Sequence, residues 1–137
     1  MRDPVLVTGA SGYLASHVID ALLSHGYNVR GTVRSEAASK RVKSLHSKYA
    51  DRVSTILVPD MSTPTAFDEA VKGASGVSHA ASTLVFAVEN NERDLIQPAI
   101  FRTLNVLETV AKHNASIRHV VNVRALRAYA LALRSGR

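Results

Sequence analysis

Gly9-Ala10-Ser11-Gly12-Tyr13-Leu14-Ala15 sets two glycines three residues apart and a small residue three further on. The context decides what such a stretch can do. Val5-Leu6-Val7 before it is a short apolar run, as a buried strand would be. After it, Leu14, Val18, Ala21 and Leu22 recur at helical spacing as far as His25. A glycine turn between a strand and a helix is suited to a pyrophosphate. Gly9 allows the sharp turn, Gly12 lets the anion reach the backbone, and Ala15 lets helix and strand pack closely. The opening of the helix adds free amides and partial positive charge. The residues expected to make these contacts are Thr8, Gly9, Ser11, Gly12, Tyr13 and Leu14. The bland alternative is a glycine-rich turn without a ligand.

The next chemically informative stretch closes the second strand. Dinucleotide binders that take NAD place an acid there to hold the ribose 2′-hydroxyl, whereas this chain reads Thr32-Val33-Arg34-Ser35. Arg34, with Lys40 and Arg41 a turn or two onward, offers cations to a 2′-phosphate through charge-assisted hydrogen bonds. The expected cofactor is therefore NADP(H) in preference to NAD(H). Solvated charges on a helix surface are the competing explanation.

These side chains need a frame. Gly26 ends the first helix, and Asn28–Val33 is a strand rich in β-branched residues. A polar helix follows over 35–48, then a strand at 53–58, a short helix at 65–72 and a strand at 76–79. A long helix follows over 92–113, which Pro98 bends or starts late, and a fifth strand over 118–123. Regular alternation of this kind predicts α/β architecture, a Rossmann-type doubly wound parallel sheet truncated after about five strands. Residues 1–123 are expected to form an incomplete NAD(P)-binding domain, followed by a basic Ala/Leu/Arg tail at 124–137.

With these residues in view, Val-Leu-Val-Thr-Gly-Ala-Ser-Gly-Tyr-Leu-Ala-Ser-His-Val and Gly-Tyr-Asn-Val-Arg-Gly-Thr-Val-Arg-Ser resemble the extended short-chain dehydrogenases. The chain looks most like the dihydroflavonol and cinnamoyl-CoA reductase branch. Within that branch it resembles fungal and yeast NADPH-dependent aldehyde and ketone reductases, over roughly Pro4 to Val121. The resemblance implies that Asp60-Met61 meets the adenine and that His79-Ala80-Ala81-Ser82 lines the nicotinamide ribose. It also implies a helix from Pro98 through Thr103-Leu104-Asn105-Val106-Leu107, in which Arg102 replaces a usual glycine. From the residues alone, Asp60 before Ser62-Thr63-Pro64 reads equally well as a turn cap. His79 has no second ligand at metal spacing, so packing against the backbone is the expected role.

The resemblance further implies hydride transfer between NADPH and a carbonyl substrate, with a Ser and a Tyr polarising the oxygen and a Lys four residues after the Tyr. Here His119-Val120-Val121 runs into Asn122-Val123-Arg124, without the serine. Tyr129 is followed four residues on by Leu133. No catalytic residue is therefore assigned. The change coincides with a tail that holds four arginines and no acid. The expectation is a truncated product that keeps the cofactor half, with an exposed sheet edge that favours self-association. The alternative is a noncatalytic NADP(H)-sensing or protein-interaction module.

Composition narrows the partners. The net charge is +6, but Arg124, Arg127, Arg134 and Arg137 carry four of those charges, leaving 13 basic against 11 acidic residues ahead of them. That nearly neutral body argues against a nucleic-acid partner. The absence of cysteine and of any long apolar run, together with the Met1-Arg2-Asp3-Pro4 opening, predicts a cytoplasmic chain with no membrane partner.

Overall fold

The structure, a computed structural model, describes residues 3–81 and 97–122. At the centre is β1, Val5–Thr8, whose successive side chains alternate between two helical layers. Leu6 enters a core with Met61, Phe67, Val71, Val106 and Val110. Val7 enters the opposite one with Ala15, Ile19, Leu23 and Val42. A strand buried on both faces is the signature of a parallel sheet covered by helices.

The remaining strands are β2 (Val29–Val33), β3 (Val53–Leu57), β4 (Gly76–His79) and β5 (Val120–Asn122). They form one sheet in the order β3-β2-β1-β4-β5. All pairings are parallel, with Val5 opposite both Val29 and Gly76, and Thr8 opposite His79. The chain builds outward from β1 through β2 and β3, then crosses to β4 on the other side. The order therefore reverses between β1 and β4, where open α/β sheets leave a crevice beyond the carboxyl ends of their strands. The expected doubly wound architecture is observed.

The helices are α1 (Tyr13–Ser24), α2 (Glu36–Leu45), α3 (Asp68–Val71) and α4 (Gln97–His113). Helix α1 ends in a Schellman motif, with Gly26 at φ +85°. Gly26 N–H donates to Leu23 C=O at 3.1 Å, and Tyr27 N–H donates to Leu22 C=O at 3.0 Å. Ser35 caps α2 by accepting from the Ala38 amide at 3.2 Å. A single 3-10 turn, Ser47–Tyr49, follows α2 where the sequence suggested continuous helix.

Three expectations change in detail. The buried face of α1 is Ala15, Ile19 and Leu23, while Leu14 and Ala21 are exposed, so the periodicity was displaced by one position. Helix α3 covers only four of the residues expected in 65–72. Ahead of it, Ala66 N–H bonds to Thr63 C=O and Asp68 N–H to Thr65 C=O, tight turns that hold the Pro64 segment out of α-helix. Strand β5 is three residues long. Before it, Ile117 tucks into the core and His119 C=O accepts from the Val77 amide at 3.1 Å. Helix α4 carries Pro98 in its first turn. The expected helical residues 92–96, Ser82, Val123 and the 124–137 tail lie outside the described residues. No described helix is long and apolar enough to cross a membrane.

Candidate functional site

The glycine turn sits on the crevice at the reversal of strand order. Gly9 has φ +64°, a conformation L side chains rarely adopt, and a Cβ built on it would lie 2.7 Å from Ala81 Cα. Glycine is required there twice over, by the backbone angle and by the loop that follows β4. The turn is anchored to β2 as well. Gly9 N–H donates to Thr32 Oγ1 at 3.1 Å, and Ala10 N–H donates to Thr32 C=O at 2.9 Å. Gly12 then occupies the N-cap of α1 in extended conformation, and no side chain caps the helix. The Gly12 amide closes the turn on Gly9 C=O at 3.0 Å, and the first amides of α1 have no side-chain cap, with the positive end of the helix dipole behind them.

The residues expected to contact a cofactor divide into two groups. Tyr13 is 85% exposed, Leu14 and Gly12 are exposed, and Ser11 is half-buried, so these remain accessible at the crevice. Thr8 is fully buried instead. Its Oγ1 accepts from the Ala81 amide at 3.2 Å and lies 2.7 Å from His79 Nδ1. If the hydroxyl gives its own proton to Nδ1, the imidazole proton is assigned to Nε2. Thr8 and buried His79 therefore splice the ends of β1 and β4, and hold Ala80 and Ala81 against the two cores. His79 was expected to pack against the backbone; its ring is buried and its Nδ1 lies beside the Thr8 hydroxyl instead.

At the other end of the crevice, Val58 N–H donates to Val33 C=O at 2.8 Å, which sets the chains leaving β2 and β3 side by side. One runs to exposed Arg34 and the other to exposed Asp60. Asp60 accepts from both the Ser62 hydroxyl and, at 2.9 Å, the Ser62 amide, an Asx turn. These two bonds hold its carboxyl below the ordinary 3.8, with smaller contributions from Arg102 and Arg34. The turn-cap reading of Asp60 is thus realised. Met61 points inward and is part of the core. Lys40 and Arg41 lie exposed on α2, opposite the face that buries Ser39 and Val42.

Two contributors were not identified from sequence. Gly31 in β2 leaves just enough room for the glycine turn, and a glycine inside a strand was the available signal. Asn105 on α4 is buried and donates through Nδ2 to Met61 C=O and Thr63 C=O, each at 3.0 Å. A lone amide among the apolar positions of α4 was its signal. A further hollow of about 190 Å3 lies between α4 and the ends of β4 and β5, bordered by His79, Thr103, Val106, Leu107, Val120 and Asn122.

The family model described as the NAD dependent epimerase/dehydratase family matches residues 5–132. The chain belongs to that family. Among its relatives is Aldehyde reductase 2 of Sporidiobolus salmonicolor, 47% identical over 108 residues, an alignment covering 78% of this chain and 31% of the relative. The bifunctional dihydroflavonol 4-reductase/flavanone 4-reductase of Malus domestica is 39% identical over 111 residues, covering 80% and 32%. Among solved structures, yeast methylglyoxal/isovaleraldehyde reductase Gre2 complexed with NADPH superposes with a TM-score of 0.81 at 32% identity, covering 91% of this chain and 38% of that one. Gre2 in complex with NADPH from Candida albicans gives 0.82 at 34% identity, covering 92% and 38%. The chain thus spans about a third of the length of the curated relatives it matches.

Proposed function

We propose that this chain is an NADP(H)-binding Rossmann domain, the cofactor-holding part of a carbonyl reductase of its family. The observation that carries the reading is the pairing of an uncapped α1 N-terminus behind the Gly9–Gly12 turn with Arg34 at the end of β2. The first suits a pyrophosphate and the second a 2′-phosphate. The site fits a dinucleotide physically. The loop after β4 is small at Ala80 and Ala81, the turn has no Cβ at Gly9 or Gly12, and no side chain caps the start of α1. Similarity to reductases solved with NADPH supports the same cofactor.

In this reading Ser11, Gly12, Tyr13 and Leu14 receive the pyrophosphate, and Arg34, with Lys40 and Arg41, receives the 2′-phosphate. Asp60 and the backbone of Met61, whose side chain is in the core, border the adenine, while Ala80, Ala81 and Ser82 border the nicotinamide ribose. Thr8 and Gly9 shape the turn. The bound nicotinamide supplies the hydride that reduces a carbonyl. No Tyr-x-x-x-Lys stands among the described residues to polarise that carbonyl, so we assign the described residues to cofactor binding. Calorimetric titration with NADPH and NADH, on the parent chain and on Arg34→Ala, tests the reading. Tighter binding of NADPH that Arg34→Ala abolishes is expected, and equal affinities in the parent would defeat the NADP(H) preference. A carbonyl-reductase assay tests the second part, since measurable turnover would show that the chain is catalytically complete.

A further inference from the structure

Helix α2 and the 3-10 turn after it carry an outward row of cations that begins at Arg34. Ser39 Oγ and Thr55 Oγ1 meet at 2.6 Å, and Val42 is fully buried in the core beneath, so this side of α2 lies on the sheet. Lys40, Arg41 and Lys43 occupy exposed positions of the same helix, and Lys40 and Lys43, three apart, share a face. Tyr49 continues the row. Its ring packs against the same core as Val42, with Lys48 Nζ 5.5 Å and Arg52 Cζ 4.6 Å from the ring centroid. One anchored ring thus gathers two cations at the far end of α2.

Residues 34–52 hold six cations, Arg34, Lys40, Arg41, Lys43, Lys48 and Arg52, against the acids Glu36 and Asp51. His46 is buried beneath them, its Nδ1 2.8 Å from Asp20 of α1. With Asp20 and, at the crevice, Asp60 counted as well, two positive charges remain in excess, whereas the other residues ahead of Arg124 hold seven cations and seven acids. The excess is therefore local to this side of the molecule. At 1.5 Å per residue, Lys43 stands about 10 Å along the axis from the start of α2, and Lys48 lies beyond its end. Neither is placed to hold a phosphate bound at Arg34, but both act on an anion during its approach. The 2′-phosphate adds about two negative charges to a dinucleotide. We infer that the outward face of α2 and the following turn is an approach surface for anionic dinucleotides. Lys43 and Lys48 speed capture at Arg34 without touching the bound cofactor, and they speed it more for NADPH than for NADH. This inference rests on the reading of the crevice as the dinucleotide site, and adds a preference in rate to the one set by contact.

The test is stopped-flow mixing of the full chain with NADPH or NADH, read by nicotinamide fluorescence, at ionic strengths from about 10 to about 300 mM. The variants are Lys43→Gln/Lys48→Gln, the charge reversal Lys43→Glu/Lys48→Glu and Arg34→Ala. Lys112→Gln/Arg118→Gln removes as many exposed charges elsewhere and serves as the control. At low salt Lys43→Gln/Lys48→Gln should slow NADPH association by about two- to fivefold and NADH association by less than about twofold. Dissociation should stay nearly constant, the reversal should slow association further, and the difference from the parent should fade as salt rises. Unchanged association, an equal loss in the control pair, or an effect confined to dissociation would each overturn the proposal. If Arg34→Ala removes a preference for NADPH while the lysine variants capture it as fast as the parent, the NADP(H) reading stands and this proposal fails. If the parent binds the two dinucleotides equally tightly yet captures NADPH faster through these lysines, the preference by contact fails and the approach surface stands. A parent that binds neither dinucleotide would defeat both.

Discussion

Gly31 and Ala10 approach so closely that a Cβ built on Gly31 would lie 2.5 Å from the Ala10 Cβ. This contact seats the glycine turn against β2, where Thr32 receives the amides of Gly9 and Ala10. Neither methyl could rotate away, since a Cβ is fixed by its backbone. Gly31→Ala should therefore lower stability by about 1–3 kcal/mol, the usual cost of overpacking, and weaken NADPH binding by lifting the turn. Removing the opposing methyl in the double variant Ala10→Gly/Gly31→Ala should restore a large part of both losses. Urea denaturation of the four members of this cycle checks the point. A single Gly31→Ala variant as stable as the parent would show that the turn yields freely.

The ends of β1 and β4 are held by one buried hydroxyl. Thr8→Val keeps the shape of the side chain but removes the acceptor for the Ala81 amide and the partner of His79 Nδ1. Leaving buried polar groups short of a partner costs about 1–3 kcal/mol. Thr8→Ser should retain most of the stability. Comparison of the two variants by thermal unfolding separates the hydroxyl from the methyl, and equal losses in both would assign the effect to packing alone.

The first half of the chain was legible because its signals are local. A strand, a glycine turn and a helix lie within Val5–Ser24, the Gly26 stop is a backbone requirement, and the next helix begins beside Ser35, where it was expected. The basic character of the β2 end could be read directly from Arg34. The phase of α1 was less legible because Leu14, Val18 and Leu22 mimic a buried stripe, whereas the small Ala15 makes the closest approach to the sheet. The attachment of α4 to the 60–63 loop was hidden for another reason. It depends on Asn105 reaching Met61 and Thr63, more than 40 residues away, and no local pattern encodes it.

Ser62 governs the ionisation of Asp60 more than either arginine does. Ser62→Ala should raise the carboxyl pKa toward the ordinary 3.8, and Arg102→Ala should raise it by less. The sign of the pH dependence follows from linkage. The folded state binds this proton less tightly than the unfolded chain, so unfolding takes up a proton in the window between the lowered folded value and 3.8. The contribution to stability is complete above that window and is lost as pH falls through it. Glu69, lowered by its hydrogen bond to Lys72, follows the same sign. Carboxyl titration by NMR would resolve the two, and an Asp60 that titrates at its ordinary value in the parent would remove the Asx turn from solution.

Asn105 has the widest structural reach of the buried polar residues in α4. Both atoms facing its Nδ2 are carbonyl oxygens, which fixes the amide orientation, and its own C=O accepts from the Thr109 hydroxyl at 2.7 Å. Asn105→Leu fills a similar volume but takes the side-chain donor from Met61 C=O and Thr63 C=O. The latter keeps the Ala66 amide. The expected loss is about 1–3 kcal/mol in urea denaturation. Asn105→Asp should cost more, because it turns a carboxylate oxygen toward two carbonyl oxygens. NADPH affinity should fall with both variants, while a variant on the exposed side of α4 such as Glu108→Gln should leave affinity and stability unchanged. If Asn105→Asp proves as stable as the parent, α4 is not fastened to the 60–63 loop through this amide.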